Sequence, residues 1–446
     1  MSADTTADER RRPRAVGRLP QRPPVIPSLA GNDPRPNTGP TAAWRHPAYR
    51  RYQFVRIATI LGLQMQSVAV AWQVYDLTRR PLDLGYLGLV QFLPVLALWP
   101  ITGIVVDRFD RRTVVSVGIV VYALAAAALA VMQPTTVTPL FITLAIVAAA
   151  RAFGQPASQA LLPHLVPPED FTNAVTWTSS LFQLGTIVGP AIGGLMLGFV
   201  GVRGVYLSTA VLCTLAAVVA QTVQARPSAT PGVRGPLRDE MLAGVRFVRS
   251  QPVVLGAITL DLFAVLLGGA VALLPVYARD IIQVGDVGDG ARAVLFGVLR
   301  ASPAFGATAM AIFLAFNPVG ARAGRKMYAA VAVFGVATIA FGLSTNIWLS
   351  IIALAISGAA DELSVVVRQT LIQINTPDAM RGRVSAVNFV FIGISNEVGE
   401  LESGLAAAAI GTVPAVVVGG LGTLAVVAAG WVLAPALRDV DRLDRR

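Results

Sequence analysis

Residues 84–106, LGYLGLVQFLPVLALWPITGIVV, run for 23 positions without a charged side chain, and 113–132 run for another 20. About 20 consecutive apolar residues are enough for a helix to cross the hydrocarbon core of a bilayer. Lipid offers the backbone no hydrogen-bond partner, so such runs must satisfy their own N–H and C=O groups as helices. Composition agrees: 54% of the 446 residues are hydrophobic, 14% are charged, and the mean hydropathy is +0.64. A soluble domain carries about 25% charged residues, so this chain cannot cover a water-facing surface of ordinary size. It reads as an all-α membrane protein.

Twelve spans are predicted, near 52–75, 84–106, 113–132, 139–159, 173–200, 203–223, 253–278, 292–316, 327–345, 347–368, 384–409 and 412–434. They group into two six-helix bundles, 44–223 and 252–437, separated by a basic linker at 224–251 and followed by a short tail at 438–446. Residues 1–43 are rich in Pro, Arg, Asp and Thr without apolar periodicity, and are expected to form a disordered cytoplasmic tail. They lack the apolar stretch of a signal peptide.

Arginine placement sets the expected orientation. With Arg368 counted at the end of its span, 28 of the 36 basic residues fall on the side of the termini and 5 on the other. Both termini are therefore expected in the cytoplasm. The end of the linker, LRDEMLAGVRFVRSQP (237–252), places Leu242, Val245 and Val248 at helical spacing beside arginines. It suits either an amphipathic helix on the inner leaflet or a solvated linker helix.

Several function classes drop out. The net charge of +11 comes from bases scattered through short loops, so no nucleic-acid partner is expected. Cys213 is the only cysteine and lies within an apolar span, while His46 and His164 sit far apart in loops. No disulfide, metal site or other cofactor is expected. The only lysine, Lys326, follows Arg325 where a phosphate-binding loop needs glycine. No catalytic constellation was found, so the chain is not expected to be an enzyme.

The two halves repeat one another. Arg108, Arg111 and Arg112 after span 2 match Arg322, Arg325 and Lys326 after span 8 at a constant offset of 214. PPEDFTNAV (167–175) similarly echoes TPDAMRGRVSAV (376–387). Paired repeats of this kind are a transporter architecture, with the substrate site between the halves near the midplane.

Gly103, Asp107, Arg108, Arg111 and Arg112 resemble the loop 2–3 signature of the major facilitator superfamily. HPAYRRYQFVR (46–56) and TPDAMRGRVSAVNFVFIGISNE (376–397) resemble its transmembrane secretion effector branch, which includes enterobactin-type siderophore exporters. The resemblance implies two pseudo-symmetric six-helix bundles and export of a small molecule across a bacterial inner membrane. It also implies that Asp107 and the loop bases lock the outward-open state; alternatively, these arginines are simple topology signals. Asp110 replaces the glycine usual in this loop and puts its tight turn in question, and Ala321 replaces the aspartate in the second copy.

Gly185, Gly189, Pro190, Gly193 and Gly194 resemble the antiporter signature of exporting members. Small residues four apart also serve ordinary close helix packing. Arg151 partly matches the exporters' fourth-helix arginine, either as a proton relay or as half of a fixed ion pair.

Charged residues inside spans are costly and face a partner or a water-filled cavity. Asp261, Asp361, Glu397 and Glu400 are the candidate proton-coupling or substrate acids, Arg151, Arg300 and Arg368 are the candidate bases of the same site, and Arg300 and Arg368 are the available partners for the acids. Burial disfavours a charged carboxylate and a nearby arginine favours it, so a site alternating between the two can carry a proton. Permanent pairing is the alternative. Asp361 is the acid expected to matter most, being two turns from Arg368 on its own helix, whereas the span of Asp261 offers no base before Arg279. Polar residues in spans 1 and 5 (Gln64, Gln66, Ser67 and Gln73; Ser179, Gln183 and Thr186) would line an aqueous path or bond between helices.

The expected function is a proton-coupled secondary exporter acting as a monomer, whose partners are a small-molecule substrate, protons and the lipid bilayer. A membrane-embedded enzyme or a sensor on a transporter scaffold is the alternative.

Overall fold

A computed structural model describes residues 39–224, 237–285 and 287–441, apart from the side chains at 99, 100, 107, 237–241, 378, 379, 386, 389 and 394. Most of the tail expected at 1–43, residues 225–236 of the linker, residues 442–446 and the Asp107 side chain thus lie outside the described residues.

The first half comprises α1 (Pro47–Thr78), α2 (Pro81–Arg108), α3 (Arg111–Met132), α4 (Thr138–Leu161) and the long α5 (Phe171–Gln221). After α6 (Leu237–Ser250) come α7 (Pro252–Gly268), α8 (Asp289–Phe316), α9 (Ala323–Leu343), α10 (Ile347–Asn375), α11 (Asp378–Ile410) and α12 (Thr412–Leu433). Their boundaries have local causes. Pro47, Pro81 and Pro252 open α1, α2 and α7, where a missing N–H costs nothing. The Asn346 side chain accepts from the amides of Trp348 and Leu349 at the start of α10. Beyond α7 the chain continues through short turns to a π-helical turn at Tyr277–Ile281.

Among the described residues, ten helices are long and apolar enough to cross a membrane. One of these contains α5, whose 51 residues would span about 75 Å if straight, at 1.5 Å per residue. It must cross twice, and the reversal is made at Gly201, whose φ of 67° suits glycine. The stretches expected as spans 5 and 6 are thus divided by one residue rather than by a loop. Helix α11 is not among the ten, but runs the same depth over 33 residues. Counted this way, the described residues make twelve crossings.

We call the face that holds Pro47 and Leu433 the near face, and the opposite one the far face. Packing differs between them. At the far end one apolar cluster runs through both halves, joining Trp72, Leu84 and Tyr206 to Leu273, Tyr277, Phe296 and Phe341. Towards the near end the core divides. One cluster around Val55, Val115 and Ala216 belongs to the first half, and another around Leu260, Tyr328 and Leu371 belongs to the second. Phe199, Phe316 and Leu433 project outward, fully exposed in the chain itself, as residues facing lipid do.

Candidate transport pathway

Two glycine seams join the halves near the far face. Gly185, Gly189 and Gly193 turn towards α1, where a Cβ on Gly189 would lie 2.5 Å from the Gln64 Cβ. Gly194 faces α8 instead: a Cβ there would lie 2.5 Å from the Cα of Gly297, closer than real Cβ contacts come. Pro190 is buried between these glycines, and its carbonyl would lie 2.8 Å from a Cβ on Gly297. In the second seam Gly85 meets Gly404, and Gly88 leaves room for Glu400, whose Cβ would lie 2.7 Å from a Cβ on Gly88. The run that resembles an antiporter signature therefore has two faces, one packing its own half and one meeting the other.

Ionisable groups from both halves gather just below these seams. Arg151 of α4 reaches across to Glu397 of α11 at 3.6 Å. Arg300 of α8 donates to the Ser67 hydroxyl of α1 at 3.1 Å, within electrostatic reach of Glu400 and Glu397. All four charged residues lie about ten to thirteen residues, or roughly 15–20 Å at 1.5 Å per residue, from the far ends of their helices.

A second cluster lies wholly within the C-terminal half. Arg368 bonds Asp261, and both side chains are almost completely buried. Asp361 stands within electrostatic reach of that pair. The spacing along α10 puts Asp361 two turns from Arg368 on one face, and the arginine turns instead to α7. Asp261 has a base after all, supplied by a different helix.

In the N-terminal half a cavity of about 740 Å³ runs from Tyr52 and Leu162 at the near end to Gln64 and Thr186 at mid-depth. Helices α1, α3, α4 and α5 form its walls, and Arg56, Arg151, Ser179 and Gln183 line it. Its size lies in the range of small-molecule sites. Gln73, expected on the same path, instead bonds the Pro134 carbonyl and the Tyr206 hydroxyl, and Gln66 is buried away from the cavity.

Residues 54–400 match the model of the major facilitator superfamily. The chain belongs to that superfamily. It is 27% identical over 351 residues to the enterobactin exporter EntS of Escherichia coli O81 (strain ED1a), covering 77% of this chain and 81% of the relative. The enterobactin exporter EntS of Shigella boydii serotype 18 is 26% identical over the same coverage. A POT family transporter solved with 5-aminolevulinic acid aligns with a TM-score of 0.70 at 11% identity, over 88% of this chain and 97% of that one. A bacterial homolog of the human lysosomal transporter Spinster, inward-facing and unoccupied, aligns with a TM-score of 0.66 at 16% identity, over 88% and 96%. These solved structures share the fold. The protein is thus a multi-pass membrane transporter of the major facilitator superfamily.

In this superfamily member the loop after α2 is tied to its own half. Asp110 does not spoil the turn: its carboxylate accepts from the Arg112 amide at 2.9 Å and caps α3. Arg111 meets His164 at 2.6 Å, and Arg112 donates to the Val223 carbonyl at 3.1 Å. Gly103 and Arg108 are exposed. In the second copy, where alanine stands for the aspartate, the tail supplies an acid. Asp441 accepts from the Arg322 amide at 3.1 Å, beside the start of α9.

Sequence reasoning missed a further group at the far face. Arg279, nearly buried, pairs with Asp76 of α1 at 2.5 Å and with Asp289 at 3.7 Å. Its guanidinium lies 4.7 Å from the Trp72 ring centroid, and Trp72 stacks on Phe296. Beside it, Asp280 accepts from the Tyr75 hydroxyl at 2.5 Å and from Arg79 at 3.4 Å. These contacts join the end of α1 to the segment beyond α7, and so join the two halves. Their signal is present in the sequence as opposite charges at the ends of spans 1 and 7, Asp76 with Arg79 and Arg279 with Asp280.

Proposed function

We propose that the protein is a proton-coupled exporter of a small molecule, working by alternating access in a bacterial inner membrane with both termini cytoplasmic. In this reading the far face is periplasmic, and the structure, continuous at its far end and divided at its near end, is inward-facing. The observation that carries the proposal is the Arg151–Glu397 pair, formed across the halves at mid-membrane.

An antiporter must release its proton to the cytoplasm before cargo leaves. In this reading Arg151, standing beside Glu397 in the inward-facing state, is the counter-charge for the carboxylate left once the proton has gone to the cytoplasm. When the halves part at the far end, Arg151 and Glu397, which sit on opposite halves, separate. Glu397 then loses its counter-charge and takes a proton from outside. Glu400 and Arg300 lie beside it and follow the same separation. The Asp261–Arg368 pair is held within one half and stays together through such a movement, so its role is to stabilise the C-terminal bundle. Siderophores are one cargo class to test, because the similar curated proteins are enterobactin exporters.

The test uses inverted membrane vesicles with an acid interior, enterobactin as the first compound, and a pH-sensitive dye. Wild-type protein is expected to accumulate the compound and release protons. Glu397→Gln is expected to lose uphill accumulation while retaining gradient-independent exchange. Accumulation that persists after an uncoupler collapses the proton gradient would overturn the proposal.

A further inference from the structure

The wall of the 740 Å³ cavity has an unbalanced charge. Among its described lining residues, α1 contributes Tyr52 and Arg56, α3 contributes Tyr122, α4 contributes Arg151, and α5 contributes no titratable group. No aspartate, glutamate or histidine lines it. Arg151 already has a counter-charge in Glu397. Arg56 has none among the described residues: its contacts there are the Tyr52 hydroxyl at 3.4 Å and the Tyr52 ring, 5.7 Å from the guanidinium carbon.

Arg56 lies nine residues into α1, about 13 Å along the helix at 1.5 Å per residue. A guanidinium placed within a span without a carboxylate is costly, and its planar fork matches the oxygens of a carboxylate or similar anion. Around it the cavity alternates amide and hydroxyl groups with apolar surface such as Val55, Leu63, Ile119 and Phe182. Those walls suit a body of aromatic or alicyclic size.

We infer that the cavity takes an amphipathic organic anion, with Arg56 holding its acidic group and the apolar wall holding its body. This rests on the transporter reading above and names the charge class of the cargo. Arg56 contributes specificity: a cation would meet its guanidinium and that of Arg151, which Glu397 already balances, with no acid among the described lining residues to hold it.

Equilibrium binding to the purified, full-length protein tests this without any gradient, so its outcome is separate from that of proton coupling. The probes are 5-carboxyfluorescein and rhodamine 123, an anion and a cation built on the same three-ring core, followed by fluorescence polarisation. Wild-type protein is expected to bind the anion saturably and the cation at least tenfold more weakly. Arg56→Gln should weaken anion binding at least tenfold, and Arg56→Lys, which keeps the charge but loses the fork, should fall between. Gln159→Glu, which places an acid in the same wall, should gain affinity for rhodamine 123, a gain that misfolding cannot produce. Equal or tighter binding of the cation by wild type, no saturable anion binding, or anion binding unchanged in Arg56→Gln would each overturn the inference.

Discussion

Replacing Gly194 by alanine would place a methyl carbon 2.5 Å from the Cα of Gly297. Carbon atoms pack best at about 3.5–4.0 Å, so α5 and α8 would have to part by about 1 Å. Overpacking of this kind costs roughly 1–3 kcal/mol. The usual gain in helix propensity from Gly to Ala is the same in both orientations of a rocking transporter and cancels. The contact strain does not cancel, because it exists only while the far end is closed. Since each 1.4 kcal/mol is about a factor of ten, the population closed at the far end should fall by about fivefold to one hundred and fifty-fold relative to the one open there. A cysteine at Gln91, whose side chain bonds only within α2, would report this. It sits below the seam beside Arg300 and Glu400, and the native Cys213 is buried. A membrane-impermeant thiol reagent added outside intact cells should label Gln91→Cys faster in the Gly194→Ala background. Gly297→Ala should act similarly, and the pair should be less than additive because they share one contact. Gly393→Ala, where a Cβ meets nothing within 4 Å, should leave labelling unchanged. A folded Gly194→Ala protein labelled at the wild-type rate would refute the closure described for the far end.

Other consequences can be measured directly. Asp261→Asn leaves Arg368 buried without its carboxylate, a change that typically costs about 3–5 kcal/mol; thermal unfolding of the purified protein should show a clear loss, with Asp361→Asn much milder. Arg279→Gln removes the charge between Asp76 and Asp289, and should raise labelling of Gln91→Cys from outside without lowering expression. An alkaline phosphatase fused after Arg446, active only in the periplasm, should be silent; strong activity would place the termini on the wrong side for the proposed cycle.

The spans were legible because hydropathy is a local property: a run such as 84–106 declares itself within its own 23 residues. The break between the fifth and sixth crossings was legible too, falling at Gly201 between the spans expected at 173–200 and 203–223, although a one-residue reversal leaves little polar sequence to mark it. Glu397 and Glu400 could be placed together because they are three residues apart on one helix. Their partner Arg151 could not, because it lies 246 positions away in sequence and a pairing across helices leaves no spacing to read. The same gap hid Asp261 from Arg368. Asp110 shows the converse. Read against a family pattern it looked disruptive, whereas its ability to cap a helix is a general property of aspartate.

The far-face latch also has an environmental consequence. Asp76 and Asp280 are nearly half exposed, and Asp289 is 80% exposed, so their attraction to Arg79 and Arg279 is felt partly through the external medium. The screening length there shrinks from about 30 Å in dilute water to about 8 Å at physiological ionic strength. The glycine seams are insensitive to dissolved ions. Salt at the far face should therefore loosen one fastening and leave the other untouched, so that the transporter is held shut at that end more firmly in dilute solution than in brine.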